Sequence, residues 1–368
     1  MAPPEQPAAR ALSCRVPTTP GLRMIKSILT RLAMSALLLA PGARAQDWND
    51  ADPAALAQAT AVEAYTTRLA GSLAGSGSAR ELALAAVLRD MAEAARRSPA
   101  ADDAAPGAAP ADPQAQAWRR AAAAKAGQDI LANQLLAGSG AAADNAMRRA
   151  AAGRWQAADP GNLYPLLHLD LDAEALLSAA REATHADAHM YEGVRWIMAA
   201  YRRSPPSASE QAAMAGDGEY SVDEAAAVSA MGLWTAAAVP GLATLLEACS
   251  EPMLRARPAR RDDCRHAAGL LADGSGRVGD EHAGLAMLRA LATTTAERAH
   301  VEERQRALDW RMLQWGRIAQ QQPRGGAAQF VRLLSDPDIR TEQQLVARVL
   351  AEAGVPSDPP HGWMPPRR

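Results

Sequence analysis

The sequence predicts an all-α protein with no significant sheet, and three observations carry that reading. Apolar side chains recur at i, i+3, i+4 and i+7 along successive stretches, the spacing that lines up one face of a helix. Between the stretches stand helix stops and starts: Asp-Pro pairs at 52–53, 112–113, 159–160, 336–337 and 358–359, glycines, and Ser-x-x-Glu capping boxes. No run alternates apolar and polar residues for long enough to argue a strand.

Residues 151–203 organise the rest. One helix ends there, Asp159-Pro160-Gly161-Asn162 reverses the chain, and further apolar-striped helices follow. Asp159 is expected to accept a hydrogen bond from the next helix's first turn, with Pro160 pre-setting φ for that turn.

Taken in order, Asp52-Pro53 opens a helix to about residue 70, closed around Gly71 and Gly75. The next, 80–97, sets Leu84, Val87, Leu88, Met91 and Ala95 on one stripe. Residues 98–113 hold four prolines and little to bury, which reads as a flexible linker. A single Ala-rich helix is expected over 113–137, carrying Trp118, Ile130, Leu131 and Leu135, with a Gly138-Ser139-Gly140 break. Asp144 caps the helix of Met147 and Trp155. After the central turn come a short helix from Leu163 and one from Asp172 through Leu176, Leu177 and Ala180. A helix from Asp187, with Met190, Val194, Ile197 and Tyr201 in line, stops at Ser204-Pro205-Pro206.

Ser207-x-x-Glu210 and Ser221-x-x-Glu224 each open a helix, the second with Val228, Met231 and Thr235 on one side. A helix from Pro240 ends near Cys249, and after an Arg-rich loop Asp262 or Asp263 caps one beginning at Cys264. Another covers 280–292. The longest, 296–322, would reach about 40 Å at 1.5 Å per residue. Its Val301, Gln305, Leu308, Met312, Trp315 and Ala319 form a seam that needs a partner helix. Pro323-Arg324-Gly325-Gly326 ends it, and two short helices follow, around Phe330 and over 341–353. The tail, 355–368, has five prolines and is expected to lie loosely.

Residues 24–45 have the three parts of an export signal: basic Lys26 and Arg31, a nine-residue apolar core from Leu32 to Ala40, and small residues at Ala43 and Ala45. That core is far short of the roughly 20 residues a membrane span needs. Residues 1–23 do not resemble an export signal, and translation is expected to start at Met24. The chain then divides into an extension (1–23), a signal (24–45), an N-terminal helical hairpin (46–97), a linker (98–113), a main helical domain (114–354) and a Pro-rich tail (355–368). A periplasmic or secreted location follows.

The whole chain carries 39 basic and 41 acidic residues. Removing 1–45 takes away six basic residues and one acid, leaving a formal charge of −7. That balance argues against general binding to nucleic acid or to an anionic membrane. It leaves a protein or peptide partner, and nothing in the sequence calls for a cofactor.

The segment Ala157-Ala158-Asp159-Pro160-Gly161-Asn162 resembles the junction between tetratricopeptide repeats. Leu166 and Leu169 stand at that repeat's first two large apolar positions, and Ala175 and Ala179 at its small packing positions. Asp170 departs from the pattern, standing where the repeat has a small residue. The resemblance implies an array of antiparallel helical hairpins, an α/α superhelix, that binds peptides or proteins.

Four constellations could carry chemistry. Cys249 and Cys264 remain after processing and flank an inter-helix loop, which in an exported chain reads as a disulfide. His185 and His189 lie one helical turn apart with Glu192 a step further, a spacing that can hold a metal ion and would make the chain a metal-dependent helical enzyme. The alternative places both histidines on the rim of the Met190–Tyr201 stripe. Arg255, Arg257, Arg260 and Arg261 form either a patch for an anion or acidic partner, or a solvated loop. Trp155, Trp196, Trp234, Trp310 and Trp315 either line a peptide groove or fill gaps between Ala-rich helices.

Overall fold

The computed structural model describes residues 53–96, 112–139, 144–215, 221–321 and 323–366. Residues 1–45, on which the readings of an extension and an export signal fall, and most of the 98–113 stretch lie outside the described residues. Among those residues the chain is helical, with no strand and two isolated bridges.

Helices α1 (Pro53–Ser76) and α2 (Ala79–Arg96) pack together. Helix α1 runs through Gly71 and Gly75, where it was expected to close; the chain turns instead at Gly77, whose φ of 69° only glycine adopts freely. The single helix expected over 113–137 is two, α3 (Pro113–Lys125) and α4 (Ile130–Ala137). Asp112 caps the first, accepting from the Ala115 amide at 2.9 Å with Pro113 at N1. Gly127 at φ 47° breaks the run, and Asp129 caps the second by accepting from Ala132 at 3.1 Å. Asp144 caps α5 (Asn145–Ala158) through the Ala146 amide at 2.7 Å.

Helices α6 (Leu163–Leu166), α7 (Ala173–Ala180), α8 (Met190–Arg203), α9 (Ala208–Ala215) and α10 (Val222–Ala238) follow. Both capping boxes form: Ser207 with Glu210 at 2.7 and 3.2 Å, and Ser221 with Glu224 at 2.7 and 3.3 Å. Then come α11 (Ala243–Ala248), α12 (Glu251–Ala256), a 3-10 turn (Pro258–Arg260), α13 (Arg261–Asp273) and α14 (Val278–Leu291). The chain ends on α15 (Thr295–Gln321), α16 (Pro323–Ser335) and α17 (Glu342–Glu352). Neither Asp262 nor Asp263 caps α13, which starts at Arg261 without a side-chain cap; Asp263 is paired with Arg181 instead, at 2.7 Å.

One hydrophobic core runs from Leu69 to Leu350, so the helices on both sides of residues 98–113 share it. A satellite cluster of Ala272, Leu285, Val301 and Leu308 joins α13, α14 and α15. Sequence neighbours pack in pairs: α1 with α2, α2 with α3, α4 with α5, α13 with α14, α14 with α15. Other contacts reach across the chain. Helix α9 lies on α1, α10 on α8 and α4, and α16 on both α8 and α10. At the centre, a Cβ on Gly193 of α8 would stand 2.5 Å from the ring of fully buried Trp234, so only glycine lets α10 come this close.

Cys249 and Cys264 form a disulfide with Cα atoms 5.6 Å apart, within the span such a bond needs. Residues between them are not the Arg-rich loop expected: Glu251–Ala256 is a helix and Pro258–Arg260 a 3-10 turn. No helix among the described residues is long and apolar enough to cross a membrane.

The tail is held rather than loose. Gly354, at φ 68°, ends α17 in the left-handed conformation while the Val355 amide donates back to Leu350 O at 2.9 Å, and half-buried Val355 packs on the core. The Trp310 indole N–H donates to Pro356 O at 3.0 Å. Further on, Trp363 N–H donates to Pro360 O at 3.0 Å across a turn with Gly362 at φ 75°, the geometry of a type II turn. That turn brings Trp363 edge-on to Trp310, ring centroids 5.3 Å apart.

Candidate functional site

The two histidines meet, but not on a helix. Helix α8 begins at Met190, and His189 precedes it with φ 46°. Residues 184–187 run alongside the central turn instead, tied to it by Leu163 N to His185 O at 2.9 Å and Thr184 N to Gly161 O at 2.8 Å. Gly161 allows this approach, since a Cβ there would stand 2.6 Å from Thr184 Oγ1. Buried Asn162 is the clamp: its Oδ1 accepts from the amides of Tyr164 at 3.0 Å and Asp187 at 3.2 Å, and its Nδ2 donates to Asp187 O at 2.8 Å. Asn162, rather than Asp159, therefore caps the next helix.

That frees Asp159 to gather the imidazoles. Its carboxylate lies 3.1 Å from His185 Nε2 and 3.4 Å from His189 Nε2, and accepts from Asn162 Nδ2 at 2.9 Å. Burial works to raise the Asp159 pKa, but the Asn162 amide and the His185 imidazole outweigh it and hold the carboxyl below its ordinary range. Glu192 stands 3.9 Å from His189 Nδ1 and points mostly into solvent. Among the described residues no group of three or more His, Cys, Asp or Glu side chains is disposed to hold a metal ion.

On its other side, His185 Nδ1 lies 3.1 Å from Thr184 Oγ1. Hydroxyl, imidazole and carboxylate are thus linked in sequence, an arrangement in which His185 could take the Thr184 proton while Asp159 holds the imidazole. Thr184 also borders a shallow depression of about 630 Å³, walled on α13 by Asp262, Arg265, His266 and Asp273. His266 Nε2 lies 2.9 Å from Ala183 O, tying that wall to the histidine segment.

The four arginines do not converge as an open patch. Arg257 and Arg260 both bind the Glu174 carboxylate, and Arg260 is buried. Arg261 donates to Leu291 O at 3.2 Å, while Arg255 lies exposed, 3.6 Å from Glu251. The tryptophans divide between both expected roles. Trp155 and Trp234 are core, Trp196 and Trp315 pack half-buried against it, and Trp310, also half-buried, lies beneath the tail.

One cluster was not anticipated. Asp280, in the first turn of α14, is almost fully buried with its carboxylate facing Tyr164 OH, Ser275 Oγ at 2.8 Å and Arg277 Nη1 at 3.1 Å. Burial first, and the charge of Glu342 second, push its carboxyl up to about 7. Glu342 closes the cluster by accepting from the Val278 amide at 2.7 Å. In sequence Asp280 looks like any acid favoured at a helix N-terminus, and no local signal marks it for burial. Comparison with protein-family models, with curated proteins and with solved structures finds no match for this chain.

Proposed function

We propose that the chain is an exported helical scaffold that binds an extended peptide or protein segment and has no catalysis of its own. One observation carries the reading: Trp310, on the longest helix, already holds a proline-rich stretch of this chain through its indole N–H. Several of the groups that could have formed an anion or metal site are taken up by partners within the protein, His185 by Asp159 and Arg257 and Arg260 by Glu174. The tripartite signal at 24–45 and the Cys249–Cys264 bond support export, because such bonds persist in oxidising compartments. The finer architecture proposed with it is an array of helical hairpins of the tetratricopeptide kind. Packing of sequence neighbours supports that array, and the contacts of α9 with α1 and of α16 with α8 would fold it back on itself. Panning a random peptide display library against the immobilised full chain tests the reading. Enrichment of a peptide family that soluble protein competes away is expected, and no enrichment over an unrelated helical protein would overturn it.

A second reading has its own observation, the Thr184–His185–Asp159 line beside an open depression. It makes the chain a hydrolase of small esters or amides. Turnover of an activated ester that disappears in both Thr184→Ala and His185→Ala would replace the first reading with this one.

A further inference from the structure

We infer that the Trp310 face of α15 is a docking site for proline-rich peptides, closed in this chain by its own tail; the inference rests on the peptide-binding reading above. The tail shows the ligand chemistry. From Val355 to Pro366 it holds five prolines, and residues 355, 359, 363 and 365 are half-buried while the others are exposed. A proline-rich strand is a favourable ligand for such a surface. Proline fixes φ along such a segment, so less conformational freedom is lost on docking, and a proline carbonyl such as that of Pro356 remains a hydrogen-bond acceptor. An indole N–H aimed at a proline carbonyl is the polar half of that recognition, here Trp310 to Pro356 at 3.0 Å. The apolar half is an aromatic side chain returned onto the same indole, here Trp363, seven residues later.

Spacing and turn together define what the face accepts: a proline, then a Pro-x-Gly-aromatic turn that delivers the ring seven positions on. Only glycine holds the φ of 75° at the third turn position without strain. Little of this contact is deeply buried, and Met364 beside it is 68% exposed. A tail attached this way can be displaced, unlike a core element. Its advantage is tethering, since a short tether gives an effective concentration of the order of millimolar. The occupant to which the site is committed is therefore a separate proline-rich segment able to outcompete the tail, and the tail acts as an intramolecular competitor that sets the threshold.

The test uses the full chain and the synthetic peptide VPSDPPHGWMPP, labelled, with a scrambled peptide as control. Trp363→Ala, which keeps the chain length and leaves α17 untouched, opens the site. The labelled peptide should bind this variant at least about tenfold more tightly than the parent. Adding Trp310→Phe, which keeps a ring but removes the N–H, should abolish the gain. Unchanged helicity and an intact disulfide establish that both variants are folded; if Trp363→Ala does not fold, Gly362→Val opens the same turn and takes its place. Equal binding to parent and opened chain, or binding indifferent to Trp310→Phe, would overturn the inference. So would a parent dimer that added peptide cannot dissociate, because a second copy would then be the occupant. Peptides enriched from the random library that lack proline and do not depend on Trp310 would overturn this inference alone and leave the peptide-binding reading standing.

Discussion

Gly284 lies where α14 crosses α13, and its replacement by alanine separates what this fold requires from what helix propensity requires. A methyl there would stand 2.5 Å from Ala272 N, 2.6 Å from Ala268 O and 3.0 Å from Ala272 Cα. All three are backbone atoms of α13, so no side-chain rotation relieves the clash and the helices must part. Gly269, on α13 itself, has nothing within 4 Å of its would-be Cβ. Propensity alone gives both substitutions a gain of about 1 kcal/mol. Gly269→Ala should keep that gain and raise the melting temperature by about 2–4 °C. Overpacking costs about 1–3 kcal/mol, and rigid backbone on the other side places Gly284→Ala at the upper end. Separation also strains the packing of fully buried Leu271 and Leu285. The net is a loss of about 2 kcal/mol, or a melting temperature lower by about 4–8 °C. Thermal and urea unfolding followed by circular dichroism would read both. If the two variants are stabilised alike, α13 and α14 do not meet through Gly284 and the reasoning fails.

Three further outcomes are expected. Cys264→Ala should cost about 3 kcal/mol, the loop-closure value for a bond spanning 15 residues, with thiol titration of the oxidised parent finding neither Cys249 nor Cys264 reactive. If the proposed export holds, mass spectrometry of the mature protein should find its N-terminus at or near Gln46; a full-length cytoplasmic product would remove the case for export. The Asp280 carboxyl, at about 7 when folded against about 3.9 in an unfolded chain, binds more protons folded than unfolded, so stability falls as pH rises through that window. His168, which burial and then Arg148 depress to about 4, works the other way between there and about 6.5. The parent must therefore be compared with Asp280→Asn, which should lose the downward slope; parallel stability curves from pH 4 to 8 would contradict the assignment.

What could be read in the sequence is what is local to a helix end. Asp112, Asp144, Asp172, Ser207 and Ser221 cap as their spacing says, because a cap involves side chain and backbone two or three residues apart. The disulfide was legible for a different reason: of the three cysteines Cys14 precedes the stretch that reads as an export signal, and the other two flank one inter-helix segment. The Gly127 break was missed because the alanines before it and the apolar residues after it continue one helical stripe, and a single glycine costs a helix only about 1 kcal/mol. Asp159 was misassigned because the same carboxylate can cap a turn or accept from an imidazole, and the second partner is 26 residues away.

Distance along the chain also explains the site residues. Arginines 257 and 260 read as free cations until Glu174, far upstream and on another helix, is placed between them. Asp280 reads as an ordinary first-turn acid until Tyr164 and Glu342 are brought over it. In each case the residue type was visible and its availability was not, because availability depends on whether some distant group has already taken the same lone pair or proton. Trp310 is the opposite case. Its indole N–H is also satisfied from far along the chain, but by an exposed tail carbonyl 46 residues on, not by a buried side chain. A partner held at the surface by a proline-rich tail can be exchanged for another of the same chemistry at the cost of one tether, whereas releasing Asp280 or Arg260 would leave a charge unpaired in the interior. That difference in what it costs to free a group is the physical ground for looking for binding at Trp310 before the histidines or the arginines.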